Sequence, residues 1–304
     1  MYENFTLKQI EEQQEQKWLS LTLADDFLFG KVMSDPKLCR EMIRRIFPNL
    51  DVEKLEPAET QKALKPALHV RGIRLDIYTK VARNILDIEV QKRKLSGLTK
   101  RSRAYHIIIG MDAMNVNALK NSGHYEALPE TYVVFICTFD LFGKGRHIYT
   151  FRNYCEEDKE LALNDGAYTI FLNTEGTMED VSPELKRFLD FVAGRINADG
   201  IEDSFIKILD EKITEIKENV KWRREYMLLM TEFDEGFLEG REEGLEAGRA
   251  EGREEGRTEG RTEGRIEGRN EVMRSIYDRL TASGMSPQEA ANFTGWNVGA
   301  NVSS

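Results

Sequence analysis

The sequence predicts an α/β protein: a mixed sheet flanked by helices, followed by one long glycine-repeat helix. Three observations carry that reading. Residues 73–91, IRLDIYTKVARNILDIEVQ, alternate apolar and polar side chains over two runs joined by a short polar turn, the mark of a β-hairpin. TYVVFICTFD at 131–140 is a continuous apolar run of strand length, as a strand covered on both faces requires. Helix-period stretches stand before, between and after these strands, which is the order of an α/β core and not of a βα-repeat barrel.

Residues 1–19 are polar and glutamine-rich and read as a frayed N-terminal extension. From Leu21 to Pro48 an apolar stripe of Phe27, Val32, Leu38, Met42, Ile43 and Ile46 predicts helix, with a restart at Ser34-Asp35-Pro36 because proline suits a first helical position. Residues 54–64 are expected to be extended. After the hairpin, 99–119 predict a helix, RHIYTF (146–151) and AYTIFLN (167–173) two more strands, and SPELKRFLDFVAGRI and Asp203 to about Phe233 two more helices. The division expected is an extension at 1–19, a core domain at 20–235, a repeat helix at 236–271 and a small helical hairpin at 272–304.

Composition sets outer bounds. A chain of 304 residues with 40% hydrophobic and 9% aromatic side chains has enough apolar material for a sizeable core. No run is long and apolar enough to span a bilayer, and the acidic start has the character of neither a signal nor a transit peptide, so a cytoplasmic protein is expected. Three dispersed cysteines (39, 137, 155) fit reduced thiols better than a disulfide frame or a zinc site, and the four histidines (69, 106, 124, 147) show no ligand spacing. His106 reads as a packed helix residue. The net charge of −10 argues weakly against nucleic acid, yet KRKLSGLTKRSR at 92–103 concentrates six basic residues just after the hairpin.

The hairpin raises the chemical question. If its turn is centred on Ala82-Arg83, residue i faces residue 165 − i, and Asp76 lies across from Glu89. Arg74, Asp76 and Tyr78 then share a face with Asp87, Glu89 and Gln91. Opposed side chains sit roughly 5 Å apart, and like charges there repel by about 3 kcal/mol at an effective dielectric near 20. A plain solvated face is the bland reading of such acids.

The ordered series ADDFLFGKVM, GIRLDIYTK, DIEVQ, KRSRAYH, GHYEALPETYVVFICTFDLFG, LNTEG, REYM and the glycine-glutamate repeats resembles the PD-(D/E)XK nuclease family transposases, or recombination-promoting (Rpn) nucleases. The resemblance implies a PD-(D/E)XK restriction-endonuclease-like core. It also implies a metal-dependent DNA endonuclease acting in recombination, mobile-element or defence biology. Carried over by residue, Asp76 and Glu89 hold the metal and Gln91 completes the catalytic motif, where the wider superfamily often has lysine. Two carboxylates on one sheet face suit Mg²⁺ (or Mn²⁺ or Ca²⁺), which takes oxygen ligands and can activate water for in-line displacement. Asp26 is a possible additional ligand, although an N-cap role suits it better. Lys92, Arg101 and Arg103 are candidates for DNA phosphate contacts. DNA is the expected partner, with no membrane and no small-molecule cofactor. The alternative is a catalytically weak or inactive relative serving as an assembly or regulatory module.

The tail carries its own pattern. Glycine stands at 240, 244, 248, 252, 256, 260, 264 and 268, with arginine after all of these but Gly244 and glutamate before most. Eight glycines cost a helix about 8 kcal/mol in total. The period of four and the absence of proline nevertheless predict helix, stabilised by pairing in a parallel homodimer. Beyond it, a stop at Gly284 and a Ser286…Glu289 capping box open a last short helix.

Overall fold

The computed structural model describes residues 7–65, 73–114 and 125–296. The chain divides into two compact units, Met1–Leu228 and Leu229–Ser304.

The first unit is built on a six-stranded mixed sheet. Its strands are β1 (Glu59–Leu64), β2 (Ile73–Val81), β3 (Asn84–Gln91), β4 (Thr131–Cys137), β5 (Ile148–Phe151) and β6 (Ala167–Asn173), in the order β1-β2-β3-β4-β6-β5. The first three strands are antiparallel, β3, β4 and β6 run parallel, and β5 returns antiparallel along β6. The hairpin register is the expected one: Val81 pairs Asn84 and Ile77 pairs Ile88, so i meets 165 − i. Ala82 takes φ 55°, the left-handed backbone that two-residue hairpin loops favour. A parallel step from β3 to β4 needs a crossover, and α4 (Leu98–Ala113) supplies it.

The crossover changes the meaning of the hairpin's polar face. Leu98, Tyr105 and Ile109 of α4 pack in one cluster with Tyr78, Ile85, Val133, Phe135 and Phe171, so that face is covered. Asp76, Asp87, Glu89 and Gln91 are all buried. The bland reading of a wetted face is therefore overturned: alternation separates two faces of a strand but does not say whether a helix will lie over the polar one. His106 is a packed helix residue, as expected. It has partners on both ring nitrogens, Thr131 Oγ1 at 2.8 Å and Thr169 Oγ1 at 3.1 Å, fastening α4 to β4 and β6. Burial lowers its pKa. The expected extension of this helix to residue 119 runs into residues outside those described.

Helices α2 (Asp26–Met33), α3 (Pro36–Ile46), α5 (Pro183–Val192) and α6 (Ser204–Glu218) form a packed layer. Gly30 of α2 comes up against Gln61 and Thr60 of β1. Asp35 caps α3 through the N–H groups of Lys37 and Leu38, the restart the sequence predicted. Asp203, the N-cap of α6, accepts Arg45 at 2.7 and 2.9 Å and Arg187 at 3.0 Å, tying α3, α5 and α6 together. The helix expected from Asp203 to about Phe233 is two: α6 ends before Asn219, and α7 (Val220–Ala282) begins after it.

The N-terminal stretch is not a frayed lead-in. Leu7–Leu19 form helix α1, and Trp18 near its end is 1% exposed. Its indole N–H donates to the Lys217 carbonyl at 2.9 Å, and its ring meets Phe27 edge-on and leans on Tyr226. One aromatic at the end of a Gln/Glu-rich helix leaves no apolar stripe to read.

In the second unit α7 continues unbroken through the glycine repeats, and every residue from 240 to 269 is exposed. Gly284 (φ 97°) ends it, and α8 (Pro287–Thr294) opens with the expected Ser286–Glu289 capping box. No described helix is long and apolar enough to cross a membrane.

Candidate active site at the open end of the hairpin

The β2–β3 ladder runs from Val81–Asn84 to Ile77–Ile88 and stops there. Where the next cross-strand pair would form, the two acids take over. The backbone N–H of Asp76 donates to Glu89 Oε1 at 2.9 Å, and the N–H of Val90 donates to Asp76 Oδ2 at 3.2 Å. Asp76 and Glu89 are thus brought together as the register predicts, but inserted between the strands and not standing side by side above them.

Each acid keeps one oxygen for other partners. Asp76 Oδ1 accepts the side-chain amide of Gln61 at 3.1 Å. Gln61 sits opposite Asp76 in the β1–β2 register, between the Thr60–Ile77 and Lys62–Leu75 pairs, with φ 54°. A left-handed backbone in a non-glycine residue costs on the order of 1–2 kcal/mol, and here it accompanies the amide's contact with the carboxylate. Glu89 Oε2 accepts from Arg101 Nη2 at 3.1 Å and from the Tyr105 hydroxyl at 3.3 Å. The Arg101 guanidinium also donates to Tyr105 Oη through Nε at 2.7 Å and reaches Gln91 Oε1 at 3.5 Å.

Asp87 is the unsettled member. It lies two residues before Glu89 on the same strand face, fully buried, with no basic, amide or backbone donor on either oxygen and the Glu89 carboxyl beside it. A buried carboxylate without partners carries the full desolvation cost of its charge. Burial first, then the charges of Glu89 and Asp76, push its pKa well above the ordinary carboxylate value. The same forces act on its neighbours. Burial raises Asp76 to about 6, with Asp26 adding to the shift and the Val90 N–H opposing it. Burial and Asp76 raise Glu89 to about 8 against the pull of Arg101. Three buried acids, one guanidinium and one phenol leave a cluster short of positive charge.

The other expected residues fall as follows. Asp25, not Asp26, occupies the N-cap position of α2, and its carboxylate turns to Thr22 and to Lys92, which it holds at 2.9 Å. Asp26 is the exposed first residue of that helix and acts on Asp76 through its charge. Lys92 is committed to Asp25 at the surface. Arg101 points to Glu89, while Arg103, two residues on and about 200° round the helix, is exposed. Asp87, Gln61 and Tyr105 are the contributors not assigned from the sequence. Asp87 was visible on the acidic face and Tyr105 one helical turn beyond Arg101; Gln61 had no sequence signal. The thiols of Cys39 and Cys137 are pushed up to about 12 by burial, which removes them as nucleophiles.

The donor set suits a hard divalent cation: carboxylate oxygens from Asp76, Asp87 and Glu89 and the amide oxygen of Gln91, with a deficit of positive charge where they meet. Among the described residues no group of three or more His, Cys, Asp or Glu side chains is arranged as a finished metal cage. On the Glu89 side, the Arg101 guanidinium supplies the nearest positive charge, 3.1 Å from Oε2.

Comparison with family models, with curated proteins and with solved structures returns no match for this chain.

Proposed function

We propose that the chain is a divalent-metal-dependent DNA endonuclease of the PD-(D/E)XK type, as its resemblance to the Rpn nucleases implies. The observation that carries this reading is the insertion of Asp76 and Glu89 into the opened hairpin beside a fully buried Asp87 that no basic or amide group meets. Such a cluster is costly as a structural device and useful as a ligand set. A bound Mg²⁺ would supply Lewis acidity and an activated water at neutral pH. Asp76 and Glu89 would hold such an ion and Gln91 would orient a water beside it, while Gln61 and the Val90 N–H fix the carboxylate of Asp76. Arg101, whose side chain is partly exposed beside Glu89, would be the group to meet a DNA phosphate. Cytoplasmic DNA in recombination, mobile-element or defence processes is the setting that follows. Plasmid digestion with Mg²⁺, with Mn²⁺ and with chelator, wild type beside Asp76→Ala and Glu89→Ala, tests it: cleavage requires metal and both acids. Metal-dependent wild-type cleavage that survives in either folded variant rejects the site.

A second reading has the Arg101–Glu89 ion pair on its side. A guanidinium seated on the carboxylate, together with a neutral glutamine at the third motif position, suits a binding module that has given up catalysis. Calorimetric titration separates the two, because that module takes up no Mg²⁺ or Mn²⁺ at millimolar concentration.

A further inference from the structure

Every residue of helix α7 from 240 to 269 is exposed. Each of the eight glycines opens on free space, and among the described residues no ion pair forms along this segment. Thr258 and Thr262 turn their hydroxyls back onto carbonyls of their own helix, both at 2.8 Å. The charges are nevertheless ordered. Arginine follows seven of the eight glycines and glutamate precedes seven, so at 100° per residue the glycine line has an arginine stripe on one flank and a glutamate stripe on the other. Like charges lie four residues apart within each stripe, which destabilises a lone helix. Past Gly268 the same four-residue step continues as Val272, 59% exposed, and Ile276, 42% exposed.

We propose that this face is a docking surface for a second copy of the chain, in parallel register, and that the two helices wind round each other with a right-handed twist. The orientation follows from the flanks. Two parallel copies related by a twofold axis along their length bring the arginine flank of one against the glutamate flank of the other on both sides of the seam. Two antiparallel copies bring arginine to arginine and glutamate to glutamate. The hand follows from the step. Four residues turn about 400° on a straight helix, so the glycine line advances about 40° per step and circles the helix in roughly 36 residues, or about 54 Å. Only a right-handed wrap of that pitch keeps the line facing its partner. At the close axis separation glycine permits, such a pitch corresponds to a crossing near −40°, the geometry of small-residue helix pairs. Val272 and Ile276 then bury against their own copies where the glycines end. The proposal stands apart from the nuclease reading, since it uses none of the residues of the hairpin site.

Sedimentation of the full chain at micromolar concentration and low salt is expected to give about twice the 35.0 kDa chain mass, shifting toward monomer as salt rises. One variant carries Arg253→Glu, Arg257→Glu, Arg261→Glu and Arg265→Glu; a second carries Glu251→Arg, Glu255→Arg, Glu259→Arg and Glu263→Arg. Each alone is expected to be monomeric, while their mixture restores a heterodimer, which shows that both still fold. In a Cys155→Ser background, Val272→Cys and Ile276→Cys are each expected to cross-link to themselves under mild oxidation, whereas Thr262→Cys, on the back of the helix, is not. A monomeric wild type, a dimer indifferent to the stripe exchanges, or self-linking at Thr262→Cys but not at Val272→Cys overturns the proposal.

Discussion

The main-chain N–H of Asp76 donates to the carboxylate of Glu89, 2.9 Å away, at the point where the β2–β3 ladder gives out. One acid thereby anchors the other's strand, and the Val90 N–H returns the arrangement to Asp76. The hydrogen bonds that the strands forgo are replaced by bonds to carboxylates, so the two acids are structural partners as well as candidate ligands. Variants that keep the shape and remove the charge separate these roles.

Asp76→Asn and Glu89→Gln retain an oxygen for each backbone N–H. Metal-dependent cleavage is expected to fall by about 100-fold or more in either, some 3 kcal/mol of barrier, while the melting temperature without metal stays level or rises. Turnover close to wild type in Glu89→Gln would sink the ligand assignment. A collapse of the fold would mean that the charge itself holds the strands together.

Asp87→Asn replaces a fully buried carboxyl, whose pKa burial and its acidic neighbours push well above the ordinary value, with an amide that can donate to Glu89. Stability without metal is expected to rise at alkaline pH, where the wild-type carboxyl must ionise, and to change little near pH 5. Denaturant unfolding measures it, and a loss of stability would show that Asp87 has a partner in solution.

The titration of the cluster gives a pH profile opposite to that of an ordinary acid pair. Asp76 and Glu89 titrate at about 6 and about 8 in the folded chain, against 3.8 and 4.5 for the unperturbed groups. The folded state therefore holds protons between those limits that the unfolded state has released, and stability declines as pH rises through that window. Thermal melts without metal should be highest near pH 5 and lower by pH 8.5. Mg²⁺ should restore stability most at the alkaline end, where the carboxylates are charged. A flat profile counts against a cluster this deeply buried.

Trp18→Ala, or removal of residues 1–19, tests whether the N-terminal helix belongs to the core. Loss of a buried tryptophan costs about 3–5 kcal/mol, enough to lower the melting temperature by roughly 10 °C in a domain of this size. Unchanged stability would return the segment to the status of an extension.

Much of this was legible from the chain. Alternation in 73–91 and a two-residue turn fix which hairpin residues meet, because side chains in a strand repeat every second residue. That Asp76 and Glu89 lie opposite each other followed from that register, though their insertion between the strands did not, and the capped restart at Asp35-Pro36 followed from local backbone chemistry. What escaped depends on contacts distant in sequence. The burial of the acidic face needs α4 to cross back over it, the importance of Trp18 needs Lys217, Phe27 and Tyr226, and the hydrogen bonds of His106 need two threonines on strands 25 and 63 residues away. Gln61 escaped for a different reason: a left-handed residue inside a strand has no signature when it is not glycine.

Gln61 also bears on what the molecule avoids. Strand β1 is one end of the sheet, and an exposed edge offers a row of unpaired N–H and C=O groups on which a stray chain can add itself. A single residue at φ 54° in the middle of that six-residue strand interrupts the extended backbone that an added strand would need to follow. The kink that carries an amide to Asp76 therefore also guards the sheet against growing by aggregation.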